Sequence, residues 1–139
     1  MSEYLEFVGN HPFLFIAAGV LLVMIIVSEL RRSGRGFRSA DPQTAIVLTN
    51  RDAQLVDTRS VEAFRKAHIL NAKNIPLAEL EDKLGKLDNA RPVIVYCDTG
   101  VTSQRAAALL VKQGFTEVYN LQGGLANWQR ENLPVVKEK

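Results

Sequence analysis

The chain has 139 residues, a formal net charge of +2 and 47% hydrophobic residues. That length admits one domain of about a hundred residues plus an appendage, and so small a net charge gives no electrostatic reason to expect a nucleic-acid partner. A single cysteine, Cys97, excludes an intrachain disulfide and fits a reducing compartment.

Residues 1–11 carry Glu3 and Glu6 and no lysine or arginine, and they are read as a short extracytoplasmic N-terminus. From Pro12 to Val27 the chain runs P-F-L-F-I-A-A-G-V-L-L-V-M-I-I-V without a charge. With Ser28, Glu29 and Leu30 added, residues 12–30 approach the thickness of a hydrocarbon core of about 30 Å. A cleaved signal peptide needs a positive start and small residues at a cleavage site, which are missing here. The run has no polar face, as an interfacial helix needs, and the arginine cluster directly after it weighs against a buried core helix. The prediction is a single transmembrane helix.

Arg31, Arg32, Arg35 and Arg38 follow the span and no arginine or lysine precedes it. The positive-inside rule therefore puts the N-terminus outside and the C-terminal body in the cytoplasm, on an inner (plasma) membrane. Residues 31–39, R-R-S-G-R-G-F-R-S, are expected to form a flexible tether whose arginines adhere to anionic lipid headgroups. Such a tether also favours a membrane-protein partner.

The body, residues 40–136 before a short tail at 137–139, alternates helix and strand signals. Asp41-Pro42 offers an N-cap and a first-turn proline for a helix reaching about Leu48. Leu55-Val56-Asp57 reads as a buried strand, Ser60 caps a helix containing Val61, Phe64 and Arg65, and Asn74-Ile75-Pro76 is briefly extended. Leu77, Leu80, Leu84 and Leu87 are spaced as on a helix. Val93 to Tyr96 is the central strand, Ser103 to Gln113 the long helix ended by Gly114, Glu117 to Leu121 a further strand, and Leu125 to Glu131 a last helix. Strands separated by helices imply an α/β fold with a parallel sheet, helices on both faces and a site at the strand C-termini.

Cys97 stands at such a strand end. It opens the segment Cys97-Asp98-Thr99-Gly100-Val101-Thr102, and a helix begins at Ser103. Strand, glycine-containing loop and helix start together aim backbone N–H groups at the sulfur, which favours thiolate and makes it a nucleophile.

Several motifs in this body resemble the single-domain rhodanese (sulfurtransferase) family. Val56-Asp57-Thr58-Arg59 is similar to its V-D-x-R, and His68 to Pro76 to its H-I-x-G-A-x-N-I-P. Gly123-Gly124 through Trp128 to Leu133-Pro134-Val135 resembles its G-G-x-x-x-W and L-P-V ending. Asn71 replaces the usual glycine of the second motif, a substitution that asparagine's tolerance of positive φ permits. Thr102 closes the loop where many thiosulfate-directed members carry arginine or a small hydroxyl residue.

The resemblance implies a two-step sulfur transfer without a cofactor or metal. Cys97 takes sulfane sulfur from a small donor such as thiosulfate, and a thiol or cyanide acceptor removes it. Backbone N–H groups between Asp98 and Ser103 form the anion cradle, and Thr102 and Ser103 either donate hydroxyls or bond the loop and cap the helix. Asp98 adds negative charge beside that cradle, and Arg105 is read as a solvated surface residue. Asp57 and Arg59 border the site as a structural ion pair, His68 belongs to a structural turn, and Trp128 packs in the core. A related cysteine phosphatase needs arginine six positions after the cysteine, and Ser103 stands there instead. The alternative from another class is a membrane-tethered module that binds inner-membrane partners.

Overall fold

The computed structural model describes residues 1–33 and 36–138. It divides into two units, Met1–Arg35 and Gly36–Lys139. The first holds helices α1 (Ser2–Asn10) and α2 (Pro12–Ser33). The break falls at His11, whose φ of −131° and ψ of 57° are not helical. Pro12 then opens α2, where its missing N–H has no helical partner to lose. Phe7 joins the two helices, its ring lying 4.9 Å from that of His11 and 6.1 Å from that of Phe15. The segment Pro12–Arg31 has a mean hydropathy of 2.7 and exposes its apolar side chains. It is long and apolar enough to cross a membrane.

The stretch expected as a tether over 31–39 is divided. Its start continues α2 to Ser33, Gly34 and Arg35 lie outside the described residues, and its end enters the second unit as strand β1 (Arg38–Ala40). Arg38, expected in the linker's basic cluster, pairs with Tyr119 as a sheet residue.

The second unit continues through α3 (Pro42–Asn50), β2 (Gln54–Asp57), α4 (Val61–Lys66), β3 (Lys73–Asn74) and β4 (Val93–Tyr96). Helix α5 (Ser103–Lys112), strand β5 (Val118–Leu121) and helix α6 (Gly124–Arg130) complete it. The five strands form one parallel sheet in the order β1-β5-β4-β2-β3. Capping chemistry places the helix starts. The Asp41 carboxylate accepts from the Thr44 N–H at 2.8 Å, and the Ser60 hydroxyl from the Ala63 N–H at 3.2 Å.

Both faces of the sheet are buried, which is why β4 is a continuous apolar run. Val56, Val93, Val95 and Val118 face one cluster with Ala106 and Leu110 of α5 and with Leu80 and Phe115. Leu55, Ile94, Tyr96 and Leu121 face the other, with Ala45 of α3 and Leu125 and Trp128 of α6. The chain end is tied down by an antiparallel bridge in which His68 and Val136 exchange backbone hydrogen bonds of 2.9 and 2.8 Å.

The helix expected over Leu77–Leu87 is instead two 3-10 turns, Leu77–Glu79 and Glu81–Lys86. Lys83, at φ −112° and ψ 17°, departs from helical geometry, and Gly85 stands two residues further on. Leu80 is fully buried and Leu87 nearly so, so the apolar spacing reported which side faces the core.

Candidate active site

Parallel strands end together. Asp57 pairs with Tyr96 in register, so the residues after β2 and those after β4 emerge side by side. The Thr58 N–H and hydroxyl both donate to the Tyr96 carbonyl, at 3.0 and 2.9 Å. Cys97 follows at once, buried, with its sulfur under the loop that leads into α5.

Two backbone donors hold that sulfur: the Gly100 N–H at 3.1 Å and the Ser103 N–H at 3.4 Å. Burial pushes the thiol pKa up, but the Ser103 hydroxyl and the N–H groups of Ser103, Thr99 and Gly100 outweigh it and leave the thiol below its ordinary value. The loop bends at Gly100, where φ is +86°. A Cβ there would stand 3.1 Å from the Gly123 nitrogen and the Leu121 oxygen, so glycine answers both the turn and the close approach.

The loop's carbonyls are drawn the other way. The first turn of α6 donates the Leu125 N–H to the Cys97 carbonyl at 2.8 Å and the Ala126 N–H to the Asp98 carbonyl at 3.0 Å. With the carbonyls bound there, the N–H groups remain for the sulfur. Gly124, at φ +60°, permits this docking.

The charged residues form one network. Asp57 is fully buried, and Arg59 grips it with Nη2 at 2.7 Å and Nε at 3.0 Å. The Arg59 Nη1 reaches the exposed Asp98 carboxylate at 3.2 Å, and Nη2 also donates to the Ala67 carbonyl. Burial pulls the Arg59 pKa down, and the hydrogen bond and charge of Asp57 more than restore it, so the guanidinium stays charged. Asp98 is therefore neutralised from β2's side of the cleft by Arg59, while Arg105 is exposed on α5. Burial, with Asp57 nearby, raises the Tyr96 hydroxyl far above its usual range, and it accepts the Ile69 N–H at 3.1 Å. A phenol held neutral in this way is structural.

His68 is also engaged, with Nδ1 2.8 Å from the Phe64 carbonyl and its ring stacked on Phe64 at 3.8 Å. Trp128 is buried and donates Nε1–H to the Pro134 carbonyl at 3.0 Å. Asn71 adopts φ +69°, the left-handed turn its position requires. Thr102 and Val101 are exposed at the loop, and the Thr102 hydroxyl does not cap α5. Ser103 is fully buried and gives its hydroxyl to Asn120.

A cavity of about 410 Å³ lies over the sulfur, with Arg59, Ser60 and Ala63 on one wall and Cys97, Asp98 and Thr102 on the other. A second, of about 440 Å³, lies between α3 and Trp128 and is lined by Thr49, Asp52, Lys73 and Arg91 among others, away from the Cys97 thiol. Among the described residues no cluster of three or more His, Cys, Asp or Glu is placed to hold a metal. One site residue and one contact escape a reading of the sequence. Asn120 has a weak signal, an amide inside an otherwise apolar strand. The Arg59–Asp98 contact joins residues too far apart in sequence to show any.

Residues 42–131 match the model of the rhodanese-like domain. The chain belongs to the rhodanese family. It is 37% identical over 143 residues to the uncharacterized protein YibN of Escherichia coli K12, with all of both chains covered. To the thiosulfate sulfurtransferase GlpE of Coxiella burnetii it is 40% identical over 83 residues, which are 60% of this chain and 78% of that one. Among solved structures, a rhodanese-related protein from Thermoplasma volcanium superposes with a TM-score of 0.62 at 26% identity, covering 73% of this chain and 100% of its own. A protein from Bacillus halodurans gives a TM-score of 0.66 at 26% identity, covering 79% and 84%. The rhodanese-like α/β fold is thereby established, and Cys97 occupies the loop at the C-terminal end of its central strand.

Proposed function

We propose that this rhodanese is a membrane-anchored sulfurtransferase that carries sulfane sulfur as a persulfide on Cys97. The observation that carries the reading is the Cys97 sulfur held by the N–H groups of Gly100 and Ser103 at 3.1 and 3.4 Å, open to a cavity. A thiolate in this cradle attacks the outer sulfur of a donor such as thiosulfate. The donor's S–S bond breaks, sulfite leaves with the bonding pair, and the transferred sulfur remains on Cys97. An acceptor thiolate or cyanide then attacks that outer sulfur and releases Cys97 as thiolate. The N–H donors match the negative charge of each state without a cation.

The apolar span over Pro12–Arg31 supports anchoring, and Arg31 at its end with Arg32 and Arg35 beyond it supports a cytoplasmic domain held near anionic lipid. The test is sulfur transfer by the full-length chain in detergent, with thiosulfate, mercaptopyruvate or a low-molecular-weight persulfide as donor and cyanide or a thiol as acceptor. Turnover that Cys97→Ser abolishes while the fold persists is the expected result. A folded wild type with no turnover on any donor transfers the reading to a membrane-tethered interaction module.

A further inference from the structure

The two residues whose N–H groups hold the Cys97 sulfur, Gly100 and Ser103, are both tied to one side chain on the neighbouring strand. Asn120 of β5 is buried at 4% exposure and lies beneath the loop. Its Nδ2 donates to the Gly100 carbonyl at 2.9 Å, and its Oδ1 accepts the Ser103 hydroxyl at 2.5 Å. The orientation of the amide follows from chemistry. A carbonyl only accepts, so the nitrogen must face Gly100, the oxygen must face Ser103, and the Ser103 hydroxyl must donate. That hydroxyl has a single proton, which the contact with Asn120 takes up, and it also stands close enough to the Cys97 sulfur to lower the thiol pKa, so Asn120 holds it in place together with the N–H groups.

We propose that Asn120 is a positioning residue that sets the spacing of the two N–H donors around the Cys97 sulfur. β5 is rigid, paired on one side with β4 and on the other with β1. An amide fixed in that strand pins the loop at its bend and at its end, three residues apart. The sulfur sits between these two points. Asn120 touches neither the sulfur nor the cavity and acts through the backbone it holds. This inference rests on the reading of Cys97 as the nucleophile, but its test needs no sulfur donor.

The test is the pH profile of Cys97 alkylation by iodoacetamide, measured on the full-length chain in detergent. Wild type should show an inflection below the ordinary thiol value of about 8.5. In Asn120→Ala the donors spread, the inflection moves up, and alkylation at neutral pH slows about three- to tenfold. Ser103→Ala keeps the N–H but removes both the link to Asn120 and the hydroxyl beside the sulfur, and it should shift the inflection in the same direction and at least as far. The double variant should shift it no further than the larger single one, because both changes break one network. A side chain that only fills the core would lower the melting temperature of Asn120→Ala and leave the inflection in place, which overturns the proposal. If Asn120→Ala does not fold, an unchanged inflection in Ser103→Ala overturns it equally. Failure of sulfur transfer in wild type with these shifts intact counts against the sulfurtransferase reading alone.

Discussion

The Leu125 N–H donates to the Cys97 carbonyl at 2.8 Å, so the first turn of α6 is fastened to the residue that bears the chain's one thiol. The residue before Leu125 makes that approach possible. A Cβ on Gly124 would overlap the Cys97 carbonyl oxygen and lie 2.8 Å from the Asp98 carbonyl carbon and oxygen, at a φ of +60° that disfavours any side chain. Gly124→Ala therefore separates α6 from the loop. It should cost about 2–4 kcal/mol in denaturant unfolding, the range of backbone strain and overpacking combined. Cys97 reactivity should fall with it. Loss of stability below about 1 kcal/mol would mean the docking is loose.

On the sulfurtransferase reading, the Arg59–Asp98 contact is proposed to set donor choice. Arg59 is shared between Asp57 and Asp98, so the cavity offers a dianion no unshared guanidinium along its wall. Thiosulfate should bind weakly, with a high KM. Asp98→Asn frees one side of Arg59 and should lower that KM about two- to fivefold, the scale of an exposed ion pair. Thr102→Arg adds a charged contact and should lower it about tenfold or more. Steady-state kinetics in low-salt buffer reads both, and an unchanged KM in both variants contradicts this account of donor choice.

Cys97 also makes stability depend on pH. Its folded pKa lies below the unfolded value, so between the two the unfolded chain holds more protons. Stability from the thiolate is fully present above the unfolded value near 8.5 and is lost as pH falls through the folded one. The melting temperature of wild type relative to Cys97→Ser should rise with pH across that window. A flat difference would show that the N–H donors do not favour the thiolate.

Much of this architecture was legible because burial on both sheet faces leaves a contiguous signature. Val93–Tyr96 could only be a central strand, and a residue placed directly after it had to lie at the sheet's C-terminal edge. The misread segments are those where backbone geometry and side-chain pattern separate. In β1 only Ala40 is buried, so Arg38 and Ser39 gave no apolar alternation and looked like linker. In Leu77–Leu87 the leucines pack inward from 3-10 turns as well as they would from a helix. Asn120 and the Arg59–Asp98 pair depend on which strands are neighbours, and a linear reading does not contain that order.

The boundary of the domain follows from β1. A fragment beginning at Gly36 retains Arg38–Ala40 and their pairing with Tyr119, Asn120 and Leu121. One beginning at Asp41 strips that edge from the very strand that carries Asn120. It should be less stable by about 2–4 kcal/mol, from a few backbone hydrogen bonds at roughly 1 kcal/mol each plus the burial of Ala40. Equal melting temperatures for the two fragments would show that β1 adds nothing.

Topology is open to a direct test in cells. The arginines after α2 and the acidic N-terminus before it call for a protected C-terminal domain in right-side-out spheroplasts treated with protease. Digestion of the domain from outside, or recovery of a soluble cleaved form, would overturn the proposed orientation.

The central claim is the persulfide on Cys97. Intact-mass spectrometry of the full-length chain after exposure to a sulfane-sulfur donor, without reductant, tests it most directly. The account predicts a gain of one sulfur atom that maps to the Cys97 peptide, disappears on adding a thiol acceptor and is absent in Cys97→Ser. A folded wild-type chain that keeps its original mass with every donor would contradict it.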